Sequence, residues 1–399
     1  MIVLAPGIRN YDWGTRGGIS HLLGRPVTDA VEAELWIGAH PGFPTPVVGG
    51  GTLADVVAAD PRGVLGEEVA EQFGERLPFL LKVLAAGRPL SVQVHPTPEQ
   101  ARAGFADEDA RGIPRTARER NYVDEQAKPE MMVAVGNMRA LAGFREPAAA
   151  RSDLLALLGE PGNGLPAWDR LHEVLSGDDR AGALCGALSQ LLSGGPEVDD
   201  LVGHLVAAAG TAPGEDVTAS VVRLLAEHHP GDPGIAVGTL LNHVDLAPGE
   251  AVFLDAGTPH AYLQGVGVEV MSTSDNVLRG GLTSKHVDLP ELLRIVEPVA
   301  SAPHRVVPAQ RAEGNQVFQV PVGEFQLQRL ESADPQSFEV ERRGPVVLLV
   351  VRGTATVSSD EETVEAARGD SFLLTAGTGS VHLLAGPDGV LAFAATVGR

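Results

Sequence analysis

The chain has 399 residues, a formal net charge of −22 and 44% hydrophobic residues. Such acidity argues against a nucleic-acid binder, which needs a basic footprint. The length exceeds what one ordinary core takes, so two or three domains are expected. The single Cys185 excludes an internal disulfide and a cysteine-based zinc finger, and its apolar helical surroundings predict a buried core residue. The opening MIVLAPGIRNYDWG lacks the charged and apolar regions of a signal peptide, and no apolar run reaches the ~18 residues of a membrane span. A soluble, cytoplasmic, monomeric protein is expected, with neither nucleic acid nor membrane as partner. Only three of the 30 basic residues are lysines: Lys82, Lys128 and Lys285.

Residues 1–50 are short strand-like runs with two aromatic-rich pieces, Asn10 to Gly14 and Ala33 to Pro41, and Trp36 reads as a core aromatic. Residues 52–76 read as helical, and Leu77 to Ala86 (LPFLLKVLAA) as an apolar strand. Arg88 to Pro96 alternates, so Ser91, Gln93 and His95 share one face. A Gln-x-His pair facing inward needs a partner, because buried polar groups left unpaired are costly. Residues 99–120 are charged with helical tendency. Pro129 argues against helix beyond them, and Met131 to Val135 reads as a buried strand with Glu130 at its start. From about Pro147 to Pro233, leucines and valines recur at helical spacing between Gly and Pro clusters, predicting a four- to six-helix insertion. Its histidines, His172, His204, His228 and His229, read as surface or core residues.

Thr239 to Lys285 carries the densest chemistry. Ala251 to Asp255 is a short strand ended by Ala256-Gly257-Thr258-Pro259, and His260 and Tyr262 follow on one face of the next. Gly265 to Met271 alternates again, with Glu269 opposite Val266, Val268 and Val270. A polar loop then carries Asp275, Asn276 and Arg279, and Lys285 closes the stretch. Such a set on a β scaffold suits a metal-assisted site for an anionic substrate. Leu289 to Val296 reads as a short helix, Pro298 to Pro308 as a linker, and the rest as β.

Ala247 to Thr258 (APGEAVFLDAGT) and Ala367 to Thr378 (ARGDSFLLTAGT) share six of twelve residues. This internal repeat predicts two related cupin (jelly-roll) barrels. The second copy keeps His382 but no Gln-x-His strand and no Lys-Pro-Glu, and reads as a metal-free structural copy. The fold class expected is mainly β with an α-helical insertion. Its parts are a discontinuous catalytic cupin domain (1–146 and 235–297), a helical domain (147–234) and a C-terminal cupin-like domain (298–399).

Gln93, His95, Glu130 and His260 form a candidate ligand set for a borderline divalent metal such as zinc. The stretches Tyr11 to Gly14, Ala33 to Pro41, Leu77 to Pro96, Lys128-Pro129-Glu130 and Leu240 to Lys285 resemble those of the type I mannose-6-phosphate isomerases. The resemblance implies one Zn²⁺ per chain, held by Gln93, His95, Glu130 and His260. It implies reversible isomerisation of mannose 6-phosphate and fructose 6-phosphate through a cis-enediol. It places Arg279, Lys128, Asp275, Glu269 and Tyr262 in catalytic positions, and Ser91, Lys285 and Trp13 in substrate or phosphate binding. One position departs: Gln126-Ala127 precedes Lys-Pro-Glu where that family usually has Asn-His, a histidine suggested to help open the sugar ring. A metal-dependent cupin oxygenase and a non-catalytic sugar-binding cupin are the alternative readings.

Overall fold

The computed structural model describes all 399 residues. Two antiparallel β assemblies stand side by side, and a helical cluster packs against the first. In the first assembly the strands run in the order Leu241–Leu246, Met138–Phe144, His260–Ser272, Phe79–Ala86, Glu34–Ile37, Ile8–Arg9. Glu130–Ala134, Ala251–Leu254, Gln93–Val94 and Leu278–Arg279 complete it.

The strand His260–Ser272 is the hub. Its first half pairs with Gln93 and with Met138–Phe144. Its second half lies between Phe79–Ala86 and Glu130–Ala134. Sequence alternation suggested two strands here, and the structure has one bent strand. The bend falls where the register shifts between Tyr262 and Gln264, just before Gly265 at φ 122°. A Cβ on Gly265 would stand 2.5 Å from the Asn137 carbonyl, so only glycine fits that bend.

The second assembly orders Ile2–Leu4, Ser371–Leu374, Val346–Ser358, His382–Thr396, Gln326–Ser332, Asn315–Phe318, Ala309–Ala312. Its edge is therefore the first strand of the chain, paired through Val3 and Phe372. Leu81, Val83, Val268 and Val270 of the first assembly share one buried cluster with Leu327, Leu349 and Phe393 of the second. The structure is mainly β with inserted helices, as expected.

The repeat is visible in space. Leu254 pairs with Glu130, and the corresponding Leu374 pairs with Val346. Just beyond the repeat in the second assembly, Val340 N–H donates to the Val381 carbonyl at 3.0 Å. Val340, Val346 and Val381 all belong to that assembly's apolar interior. His382 is exposed on the outer face, opposite the exposed Glu339.

Helices from Pro147 to His228 bury leucines and valines against Val92, Val94, Ala261 and Leu263, the outward face of the strands that carry Gln93 and His260. Pro at the first turn starts Pro147–Leu158, Pro166–Val174 and Pro196–Thr211. Cys185 is half-buried at the rim of this cluster, less enclosed than its apolar neighbours suggested. The helical tendency of 99–120 is realised only over Pro98–Ala110, capped by Thr97 and Gln100 in a capping box. Gly112 at φ 71° and Pro114 end it. The loop that follows is tied down by buried Arg120, which donates to the carbonyls of Tyr122 and Ile113 at 2.6 Å and pairs with Glu108 at 2.9 Å. No helix is long and apolar enough to cross a membrane.

Candidate metal centre and sugar-phosphate site

Three side chains from three separate strand ends meet inside the first assembly. Ligand atoms of His95, Glu130 and His260 lie within 4.8 Å of one another, and all three residues are buried. His95 Nε2 stands 3.3 Å from Glu130 Oε1, and His260 Nε2 3.5 Å from Glu130 Oε2. The tautomers are fixed from behind. His95 Nδ1 donates to the Asn276 carbonyl at 2.8 Å, and His260 Nδ1 donates to the Thr258 carbonyl at 2.9 Å. Both Nε2 lone pairs therefore point at a carboxylate.

Burial, with Lys128 beside it, lowers the His95 pKa to about 4, so the ring is neutral near pH 7. Burial works against the Glu130 carboxylate, yet Lys128 and His95 hold its pKa well below the ordinary range. The Nε2 atoms of His95 and His260 and the Glu130 carboxylate turn toward one point, and His95 Nε2 has no hydrogen-bond partner. A divalent cation between them would satisfy that arrangement. Gln93 is in register with His260 and lines the same narrow cleft of about 40 Å³.

A second, fully enclosed group adjoins this one. Lys82 Nζ lies 3.3 Å from Glu269 Oε2 and 3.4 Å from Glu34 Oε1, and it sits over the Trp36 ring. Trp36 Nε1 donates to Glu34 at 2.9 Å. Burial opposes the Lys82 charge, but Glu34 and Glu269 outweigh it and raise its pKa. Burial likewise raises the Glu269 pKa, against Lys82. Tyr262 is buried with an unpartnered hydroxyl, its pKa raised by burial and by Glu269. Lys128 pairs with Glu130 at 2.9 Å.

Lys82 and Glu34 escaped the reading of motifs. The available signal was a lysine inside a run of buried apolar residues, a position charged side chains take only when paired. Trp36, expected as a core aromatic, is buried and also holds Glu34 by its indole N–H.

The loop after the hub strand supplies Asp275. Burial would raise its pKa, but His40 at 3.4 Å, with Lys128 and Lys82, lowers it. The loop itself is cross-braced. Asn276, fully buried, accepts from Val123 N–H at 2.7 Å and donates to the Asp124 carbonyl at 2.7 Å and the Gln126 carbonyl at 2.9 Å. Arg279 is set opposite Gln93 by strand register, and burial lowers its pKa. Ser91 lies half-buried two residues before Gln93, and Trp13 packs against the apolar side of the barrel interior. Lys285 is exposed and opens instead onto a shallower surface cleft with Arg118, close enough for the Arg279 charge to depress it after burial. Between these cations, Leu282 takes φ 55° and Gly281 φ 108°. Asp232 holds that turn by accepting from the N–H of Leu282 at 2.8 Å and of Thr283 at 3.0 Å. At the position of the departure, Ala127 is buried and its carbonyl accepts from Ser272 Oγ at 2.6 Å. His172, His204, His228 and His229 take no part in the centre.

The description "Phosphomannose isomerase type I, catalytic domain" matches residues 1–147. A mannose-6-phosphate isomerase of Escherichia coli K12 is 37% identical over 381 residues, covering 94% of each chain. The chain belongs to the type I phosphomannose isomerase family. The apo form of the Salmonella typhimurium mannose 6-phosphate isomerase superposes with a TM-score of 0.89 at 34% identity, covering 100% of this chain and 99% of that one. A zinc-bound form of a mannose 6-phosphate isomerase reaches 0.88 at 35% identity, covering 98% of each chain. This family member thus shares fold and full length with phosphomannose isomerases.

Proposed function

We propose that this protein interconverts D-mannose 6-phosphate and D-fructose 6-phosphate through a cis-enediol, with one zinc ion held by Gln93, His95, Glu130 and His260. The observation that carries the reading is the set of three buried donors turned toward one point beside two lysines. When bound, the ion supplies Lewis-acid polarisation of the sugar oxygens.

The side chains take the remaining work. Arg279 and Lys285, with Ser91, hold the phosphate by charge-assisted hydrogen bonds, and Trp13 lines the approach. A base must carry a proton between C1 and C2. Glu269 is enclosed and paired with Lys82, which takes its carboxylate out of reach of the carbon and makes it the weaker candidate. Asp275 is the ionised carboxylate that no lysine or arginine engages, so we assign it that role. Lys128 and Tyr262 present N–H and O–H groups for the oxygen protons, and the Lys82–Glu269 pair fixes their charge environment. Ala127 offers only a methyl group, so ring opening falls to another group or to water. The functional division proposed is a catalytic unit from 1–146 and 235–297, a helical unit 147–234 and a C-terminal unit 298–399, acting as a cytoplasmic monomer.

The test is a coupled assay for fructose 6-phosphate on metal-stripped protein, with and without zinc. Zinc-restored turnover is expected. Stoichiometric zinc without turnover would instead favour another sugar substrate or a binding-only cupin.

A further inference from the structure

His40 stands in the segment Ala33 to Pro41, which the assignment above leaves without a task. Its side chain is 5% exposed, whereas that of Asp275 is 49% exposed. The imidazole is fixed on two sides. Gly42 N–H donates to His40 Nδ1 at 3.1 Å, in a turn closed by Phe43 N–H on the His40 carbonyl at 3.0 Å. The ring also meets Trp36 edge-on, with centroids 4.8 Å apart. A nitrogen that accepts a backbone N–H carries no proton, so the proton of a neutral ring sits on Nε2. Nε2 faces Asp275 Oδ2 at 3.4 Å. That separation exceeds a good hydrogen bond, as is common before substrate closes a site.

Asp275 is held at its backbone but not at its tip. Its N–H donates to Asp124 at 3.0 Å, and its neighbours Ser274 and Asn276 are fully buried. The carboxylate beyond that brace is half-exposed, and the buried His40 ring is the rigid group beside it. Trp36 links the two networks, since its indole N–H holds Glu34 of the Lys82 group while its face steadies His40.

We propose that His40 is a positioning residue that aims the Asp275 carboxylate by presenting a backbone-fixed Nε2–H to Oδ2. The inference rests on the reading of Asp275 as the C1/C2 proton carrier. A carboxylate free to rotate would spend little time aligned with the C–H bond, and misplacement by an ångström costs on the order of 100-fold in rate. Fixing one oxygen leaves the other to take the proton, and keeps the transfer on one face of the sugar.

The experiment compares His40→Gln with His40→Met in the zinc-loaded full-length chain. The two side chains are of similar volume and flexibility, but only Gln can offer an N–H to Asp275. Should H40M be insoluble, His40→Ala serves in its place. Turnover is measured on mannose 6-phosphate and on its C2-deuterated form, alongside zinc content and unfolding midpoint. H40M should lose about 100-fold in kcat with KM within about threefold. Deuterium should slow H40M more than the parent, and H40Q should regain at least about tenfold of the loss. In the background of Asp275→Asn, H40M should have no further effect on kcat.

The inference is overturned if H40M keeps kcat within about threefold, if H40Q and H40M lose equally, or if H40M slows D275N as much as it slows the parent. Failure of the underlying reading looks different. D275N retaining more than about a tenth of parental kcat removes Asp275 as proton carrier, and the inference with it. D275N inactive beside an unimpaired H40M removes the inference alone.

Discussion

Lys82 and Glu269 face each other in register on adjacent strands, with Nζ and Oε2 3.3 Å apart and both side chains fully buried. Glu34 completes the group from the other side at 3.4 Å. Removing the one cation strands two carboxylates in a closed interior. Lys82→Met is therefore expected to cost about 3–5 kcal/mol in stability. Turnover should fall with it, since the group next to the centre loses its one positive charge. Denaturant unfolding of the variant against the parent checks the first part. A ΔΔG below about 1 kcal/mol would show that Glu34 and Glu269 tolerate sharing a proton.

Asn276 joins both walls of the centre. Its backbone carbonyl sets the His95 ring while its side chain clamps 123–126, the segment leading to Lys128 and Glu130. Partners behind a metal ligand commonly contribute 10- to 100-fold in affinity. Asn276→Ala leaves the carbonyl but frees the clamp, and a loss of about tenfold in zinc affinity is expected. Competition with a chromogenic chelator reads this directly, and parental affinity would assign the clamp to stability alone.

Asp232 lies at the end of the helical insertion, yet it shapes the turn between Arg279 and Lys285. Its carboxylate fixes Leu282 in a left-handed conformation that costs an ordinary residue about 1–3 kcal/mol. In Asp232→Ala the turn should relax and Arg279 and Lys285, the cations proposed for the phosphate, should separate. KM for the sugar phosphate is expected to rise about tenfold while kcat changes less. Steady-state kinetics decide the matter: a kcat loss at constant KM would contradict this account.

His243 gives a pH dependence remote from the metal. Burial, with Arg145 next to it, lowers its pKa from 6.5 to about 4, and its Nε2 lacks a hydrogen-bond partner. The folded chain thus holds this ring neutral where the unfolded chain would protonate it. The sign follows: unfolding takes up a proton between those values, so stability declines as pH falls from about 6.5 toward 4. The decline from this residue is up to roughly 3 kcal/mol. His243→Gln should flatten that limb of a stability-against-pH curve relative to the parent, and an unchanged slope would assign it to other groups.

Much of the centre could be read before any coordinates. His95 and Gln93 alternate on one short strand, Glu130 follows Lys128-Pro129, and His260 follows a turn, which made them candidates, and the resemblance joined them into one ligand set. Strand register was the hidden part. Lys82 stands beside Glu34 and Glu269 because three strands align Trp36, Lys82 and Glu269 in one row. Nothing in LPFLLKVLAA announces which residues lie alongside. The contact of His40 with Asp275 likewise depends on the route of two loops. The overlong helix at 99–120 failed for a local reason, since Gly112 and Pro114 outweighed a charged, helix-favouring composition. His382 invited comparison with His260, but its strand presents the opposite face, and valines occupy the inward positions.

The strand Ile2–Leu4 has its partner at Ser371–Leu374, nearly the whole chain away. Residues 2–4 therefore have no partner strand until residues 371–374 have been synthesised. Until then Ile2–Leu4 has no strand beside it and can pair with one from another nascent chain. The order of synthesis and the order of assembly run in opposite directions here. Changes within Ile2–Leu4 should thus be felt as poorer yield of folded protein, far from the catalytic cleft.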